Sequence, residues 1–384
     1  MTIQKTRILI RRAEVFVFRV AVEHPVRTSF GVMTERAAVL LRIEDDDGAY
    51  GWGEAWCNFP TCGAEHRAHL LETVIIPLLL EKEYAAPAEL FESLTKKTSI
   101  LALQSGEFGP LAQVVAAADI AAWDLCARKA GLPLHRLLGG SGDGSMPAYA
   151  SGINPTGVTE TIHRAQQSGY RAFKFKIGFG LERDLENLRV ALQILQPGER
   201  LAVDANQAWD LPTALKTVES MDGKNLMWLE EPLRCDTHLS QWIILRDHCP
   251  VPLAGGENIR GKHAFQEAIQ SRALGVLQPD VCKWGGITHC QSVAQSVLDA
   301  GLRYCPHYLG GGIGLLASAH ILASVGGDGL LEVDINPNPL RELLAQPHPA
   351  IREGRFCLND KTGLGAEPDL TLLSELITFH VELH

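Results

Sequence analysis

The sequence predicts an α/β protein, a barrel of the (β/α)8 type preceded by a smaller α+β domain. Two observations carry this. Eight short apolar runs recur from about residue 146 onward, each followed by a polar residue and a helical pattern. Such alternation implies right-handed crossovers and a parallel sheet. Seven of the eight runs end on an ionisable side chain, and a barrel gathers all such ends at one mouth.

The chain of 384 residues has a formal charge of -10 and no lysine or arginine run longer than a pair, which excludes a nucleic-acid partner. No stretch approaches the ~18 apolar residues of a membrane span, so no membrane partner is expected. The N-terminus lacks the apolar run of a signal peptide. Nine cysteines are scattered without a CxxC pair. They read as reduced thiols in a cytoplasmic protein, the alternative being a zinc or disulfide role for Cys57 and Cys62.

In the first domain "AEVFVFRVAV" alternates as a strand, and "AAVLLRIEDDDGAYGWGEAW" reads as a hairpin turned at Asp47-Gly48. The acidic run 44–47 lacks the spacing of a calcium loop and reads as a solvated turn. Helical patterns follow at about 64–82, 87–97 and 110–130. The last is stopped by Gly131 and Pro133. The glycine-rich "LLGGSGDGSMP" marks a junction.

The eight runs beyond it are 146–152, 172–178, 201–207, 226–232, 252–258, 275–281, 302–308 and 330–336. A solenoid of similar period would need internal repeats, which are poor here. An open doubly wound sheet normally begins with a glycine-rich nucleotide turn, and no GxGxxG or Walker loop is present.

The second run, "AFKFKIG", sets Lys174 and Lys176 against Phe173 and Phe175 at period two. The later runs end on Asp204 with Asn206, Glu230 and Glu231, Glu257, Asp280, His307 and Glu332. In a barrel Asp204, Glu230 and Glu257 converge. Like charges require a cation between them, and oxygen donors select Mg²⁺ or Mn²⁺; the alternative is three separately paired strand ends. Spacing alone does not separate Glu230 from Glu231. Asn206 shares a face with Asp204 and could reach metal or substrate. Lys174 should lower the pKa of Lys176 toward that of a general base. Asp280 and His307 come from neighbouring strands, as an acid/base pair would. Glu332, if protonated, could hydrogen-bond a developing oxyanion. This set suits removal of a proton α to a carboxylate.

The chain resembles the enolase superfamily, in the mandelate racemase-like branch of the mandelate racemase/muconate lactonizing enzyme group. The resemblance rests on "KFK", "VDANQAW", "WLEEPL", "AGGEN", "QPDVCKWGGIT", "PHYLGGGIG" and "LLEVD", with "GWGEAW" and "AAADIAAWDLCARKAGLPLHRLLGG" in the first domain. It implies an α+β capping domain (1–135), a modified TIM barrel of (β/α)7β form (136–355) and a C-terminal segment (356–384) that returns to the capping domain. It implies metal ligands Asp204, Glu230 and Glu257, a KxK motif at Lys174 and Lys176 with Lys176 as a base, an Asp280–His307 dyad and a carboxylate electrophile at Glu332. Aspartate at 280, where the muconate branch has lysine, favours the racemase/dehydratase branch. Lys283 lies nearby with no assigned role.

The expected chemistry is Mg²⁺-dependent α-proton abstraction from a small carboxylate. Acid-sugar dehydration to a 2-keto-3-deoxy acid is the preferred outcome. Racemisation or epimerisation of an α-hydroxy acid is the alternative, and a catalytically silent metal- or acid-binding barrel is the alternative of another class. Family analogy gives substrate recognition to loops 24–37 and 53–66, where Arg27 would favour a second carboxylate and Trp56, Phe59 and Phe30 a less polar substrate. Each could equally pack the domain interface. The glycine-rich loop 310–314 reads as a turn beside His307, with a phosphate cradle as alternative. A homo-oligomer is expected by the same analogy.

Overall fold

The structure, a computed structural model, describes residues 7–27, 31–80, 82–221 and 226–384, without the side chains of His24 and Arg27. The first domain opens with β1 (Ile8–Arg27), β2 (Val32–Asp45), β3 (Tyr50–Ala55) and the short β4 (Glu83–Tyr84). β1, β2 and β3 form an antiparallel sheet, with the β2–β3 turn at Gly48.

Helix Phe108–Lys129 packs directly on this sheet because the strand offers no side chains there. A Cβ on Gly51 would lie 2.1 Å from Ala121 O, and one on Gly53 would lie 1.9 Å from Ala117 O. The glycines of "GWGEAW" and the alanines of "AAADIAAW" are thus two halves of one close approach. This helix is the one described helix long and apolar enough to cross a membrane by length and composition, and it is buried inside the protein.

Two helices differ from the sequence expectation. The helix expected at 64–82 is helical at Gly63–Leu70 and Ile76–Leu79, joined by a wider π turn at Leu71–Ile75. Pro77 has no N–H to donate and crowds the carbonyl four residues back, which the wider turn relieves. The helix expected to end near 97 runs from Pro87 to Ser105. Ile100 and Leu103 face solvent, so the buried pattern gives out before the helix does; Gly106, at φ 74°, ends it.

The barrel strands are β5 (Ser145–Ile153), β6 (Ala172–Lys176), β7 (Arg200–Asp204), β8 (Leu226–Glu230), β9 (Leu253–Gly255), β10 (Val276–Leu277), β11 (Arg303–Tyr304) and β12 (Leu331–Asp334). They pair in parallel in chain order from β5 to β11, and β12 returns to pair with β5. At the β11–β12 seam the Leu330 N–H donates to Cys305 Sγ at 3.4 Å. One helix of ten residues or more follows each strand from β5 to β11, and β12 is followed by the short Pro339–Leu343. The modified (β/α)7β order is therefore present.

β13 (Ile351–Arg352) and β14 (Arg355–Cys357) form a hairpin that pairs with β5, so strand contacts of the barrel extend to Cys357, two residues past the expected boundary. Then β15 (Ile377–Leu383) pairs with β1.

Buried carboxylates tie the capping domain to the barrel and to the C-terminal segment. Asp119 accepts the N–H of Thr288 at 2.9 Å and its hydroxyl at 2.5 Å, at the start of helix Gly286–Asp299. Asp124 accepts the N–H groups of Trp52 and Leu364. All nine cysteines are free, with Cys57 buried and Cys62 exposed.

Candidate active site

Along β6 the apolar side chains face the helices and the lysines face the barrel interior, where Lys174 is 3% and Lys176 6% exposed. Their electrostatics differ. Lys174 Nζ donates to Glu230, lies 2.8 Å from Glu332 Oε1 and 3.9 Å from Asp204 Oδ2. Burial would lower its pKa, but Glu230 and Glu332 outweigh that and hold it well above the ordinary lysine value. Lys176 is held below it. Burial is the main cause, Asp204 and Asp334 oppose it, and Lys174 adds to the lowering.

Asp204 ends β7 and meets Glu230 in register at the end of β8. Asn206 closes back on Asp204, its N–H 2.7 Å from Oδ1 and its Nδ2 2.8 Å from Oδ2. Glu230 Oε2 accepts from Trp228 Nε1 at 2.9 Å and Gln278 Nε2 at 2.7 Å. Glu231 instead accepts from Asn258 Nδ2 at 3.0 Å, which separates the two glutamates that spacing left equivalent. Asn206, Gln207 and Glu231 have φ of 44°, 63° and 37°. Left-handed backbone at three non-glycine positions beside these acids is costly and clusters at functional sites.

Glu257 lies two residues beyond β9, with Lys283 Nζ 2.8 Å from Oε1 and His307 Nε2 2.7 Å from Oε2. Burial would raise its pKa, but these two cations hold it well below the ordinary range. Burial pushes Glu230 up to about 7, with Asp204 and Glu332 adding to it and Lys174 opposing. Asp204, Glu230 and the half-buried Glu257 are oxygen donors of the kind a hard divalent cation takes, but the three do not bring oxygens within 4.8 Å of one another, Lys174 holding Glu230 while Lys283 and His307 hold Glu257. By contrast, Asp45, Asp46 and Asp47 bring oxygens within 4.8 Å of one another in the hairpin turn, but Lys129 and Arg7 pair with them.

His307 Nδ1 lies 2.7 Å from Asp280 Oδ2, and Asp280 Oδ1 is fixed by the N–H of Cys282 and Lys283. Burial would lower the imidazole pKa; Glu257, Glu332 and Asp280 hold it well above the ordinary value. Glu332 accepts on both of its oxygens. Lys174, the Ser151 hydroxyl and the Tyr308 N–H all donate to it. Burial would raise it, but Lys174 and His307 lower it, so its surroundings favour the carboxylate over the protonated form.

Residues 157–372 match the enolase C-terminal domain-like family, and residues 12–139 match the mandelate racemase/muconate lactonizing enzyme N-terminal domain. The chain belongs to the mandelate racemase/muconate lactonizing enzyme family. A solved mandelate racemase/muconate lactonizing enzyme from Bordetella bronchiseptica RB50 is 50% identical, covers 97% of this chain and 100% of its own, and superposes with a TM-score of 0.90. A racemase from Streptomyces coelicolor A3(2), solved with bound magnesium, is 26% identical over 96% of this chain and 100% of its own, with a TM-score of 0.87. D-galactarolactone cycloisomerase of Agrobacterium fabrum is 30% identical over 92% of this chain and 96% of its own length. Further curated relatives are named dehydratases, racemases and epimerases. The chain is thus an enzyme of the enolase superfamily, of lyase or isomerase type, similar to a racemase solved with bound magnesium.

In this family member Lys174, Lys176, Asp204, Asn206, Glu257, His307 and Glu332 line one cavity of about 320 Å³. Trp56, Asn58 and Phe59 of loop 53–66 form part of its wall. The loop is pinned there by Trp56 N–H on Cys282 O at 3.3 Å and Asn58 Nδ2 on Leu309 O at 2.6 Å. Lys283 Nζ sits 4.7 Å from the Trp56 ring centroid. The Arg27 side chain and Phe30 lie outside the described residues. Loop 310–314 is no phosphate cradle: the N–H groups of Gly311 and Gly314 donate to Glu54.

Sequence reasoning passed over Ser151, Gln278, Asn58 and Asn258. Ser151 had a signal: it stands near the end of the one apolar run without an ionisable group. Gln278 and Asn258 lie inside the quoted "QPDVCKWGGIT" and "AGGEN", but their partners are fixed by packing rather than spacing.

Proposed function

We propose that this enzyme removes the α-proton of an acid sugar and expels its β-hydroxyl as water, giving a 2-keto-3-deoxy acid. The observation that carries this reading is one cavity shared by Lys176, His307, Asp204, Glu257 and Glu332. Mg²⁺, or Mn²⁺, held by Asp204, Glu230 and Glu257 supplies positive charge to the substrate carboxylate when bound. Lys176, its pKa lowered by burial, accepts the α-proton. Lys174 keeps its charge and stabilises negative charge gathered by Glu230 and Glu332. His307, held protonated by its acidic neighbours, delivers a proton to the departing hydroxyl. The C–O bond breaks, water leaves, and the enol product tautomerises to the keto acid. Asp280 fixes the imidazole through Nδ1 so that Nε2 faces the cavity.

The second reading is racemisation or epimerisation, favoured by two candidate bases in the same cavity. The substrate is read as a small carboxylate in both cases. The test incubates the protein and Mg²⁺ with acid sugars and α-hydroxy acids in D₂O. Keto-acid formation supports dehydration. Deuterium at the α-carbon without keto acid replaces it by the second reading. Neither result with any acid overturns both and leaves a silent binding barrel.

A further inference from the structure

Glu54 is a buried carboxylate, 2% exposed, that the mechanism does not use. It stands on β3 of the capping domain but points at the barrel. Its Oε1 accepts the N–H of Gly311 at 2.6 Å and its Oε2 that of Gly314 at 2.9 Å. Both amides belong to the first turn of helix Gly312–Val325 or the residue before it, where N–H groups have no partner within the helix.

The loop between His307 and this helix is built around that contact. A Cβ on Gly311 would lie 2.7 Å from Glu54 Oε1. A Cβ on Gly310 or Gly314 would lie 2.4 or 2.3 Å from the Tyr308 hydroxyl. The Tyr308 side chain therefore fills the space the glycines leave, and the Tyr308 backbone N–H is directed at Glu332 Oε2, 2.9 Å away. His307 is the next residue back.

We propose that Glu54 is a positioning residue, a clamp from the capping domain that fixes the His307–Gly314 loop and through it the Tyr308 N–H on Glu332 and the His307 imidazole. This rests on the proposed function, because the loop's placement matters to turnover only if His307 and Glu332 act in the reaction.

The experiment compares wild type, Glu54→Ala and Glu54→Gln in keto-acid formation with and without added formate. In Glu54→Ala, kcat should fall about 10²-fold with KM changed less than about threefold, the loss expected when a reacting group shifts by roughly 1 Å. Formate, a carboxylate small enough for the space left, should recover at least about tenfold of it, which a general loss of packing would not allow. A kcat near wild type, or a loss that formate leaves untouched, overturns the clamp. If Glu54→Ala does not fold, Glu54→Gln decides: it keeps one acceptor, turns a donor toward the other glycine, and should lower kcat at constant KM.

Hydrogen exchange of the backbone provides a readout without activity. Amides at 308–314 should exchange faster in Glu54→Gln while those at 226–233 stay as in wild type. If wild type exchanges no acid, the functional reading fails, and unchanged protection at 308–314 would then overturn the clamp separately.

Discussion

His307 Nδ1 and Asp280 Oδ2 lie 2.7 Å apart, with the Asp280 carboxylate fully buried and anchored by two further backbone N–H groups. A fixed carboxylate on one ring nitrogen selects the tautomer and aims the other nitrogen. Asp280→Asn keeps the shape and removes the charge. It should lower the rate of keto-acid formation by up to about 10⁴-fold, the loss found when the orienting acid of a catalytic histidine is neutralised. Circular dichroism should be unchanged. Keto-acid formation near the wild-type rate would sink the dyad.

Lys176→Ala and His307→Asn separate the two faces of the cavity. Each should cut turnover by about two orders of magnitude or more, as expected for loss of a positioned acid or base. If one base alone takes the α-proton, the other variant should still exchange deuterium while forming no keto acid. Near-normal turnover in both variants would refute their assignment.

Asp119 tests the docking of the domains rather than the chemistry. Asp119→Ala leaves the Thr288 N–H and hydroxyl without their buried acceptor at the start of helix Gly286–Asp299. The expected cost is about 1–3 kcal/mol, read as a lower urea midpoint at unchanged m. An unchanged midpoint would show that solvent replaces the contact.

The barrel was legible because its strands carry short buried runs with polar ends, as at Phe173–Lys176 and Val203–Asp204. The gathering of the ionisable side chains was legible for the same reason, each standing near a strand's C-terminal end. What stayed hidden depends on approach between distant segments. Glu54 lies 257 residues from the Gly311 it holds. Ser151 reaches Glu332 only because β12 closes on β5. The surroundings of Glu332 depend on Lys174, His307 and the Ser151 hydroxyl meeting at one point, which no local pattern announces. The downward shift of Lys176 and the contribution of Lys174 were visible in sequence, whereas the depth of burial that leads the shift was not.

His320 gives a pH dependence of stability. Its Nδ1 accepts the His135 N–H at 3.0 Å and its Nε2 lies 3.2 Å from Leu364 O, the pattern of a neutral ring. Burial pushes its pKa down from 6.5 to about 3, with Leu364 opposing and His135 adding a little. The unfolded chain binds a proton below about pH 6.5 and the folded chain does not until near 3, so stability falls as pH drops through that window. Thermal melts from pH 7 to 4 should show a falling Tm, with a shallower slope in His320→Gln. Equal slopes would assign the acid sensitivity to other groups.

Lys174 and Lys176 differ by two positions, yet the structure gives them separate tasks, and magnesium can tell them apart. Lys174 is the cation nearest both Glu230 and Glu332. Lys174→Met leaves those two buried carboxylates without it, at a cost on the order of 3–5 kcal/mol for a broken buried pair. Lys176→Met removes an ammonium that burial already disfavours, so its cost should be much smaller. A divalent cation among Asp204, Glu230 and Glu257 returns positive charge to the same acids and binds the folded chain alone, raising Tm by mass action. Added Mg²⁺ should therefore raise the Tm of Lys174→Met more than that of Lys176→Met, while Lys176→Met alone keeps wild-type stability and loses exchange. Equal Tm values for both variants, with and without Mg²⁺, would show that Lys174 does not balance the acids, and the division of labour in "KFK" would fail.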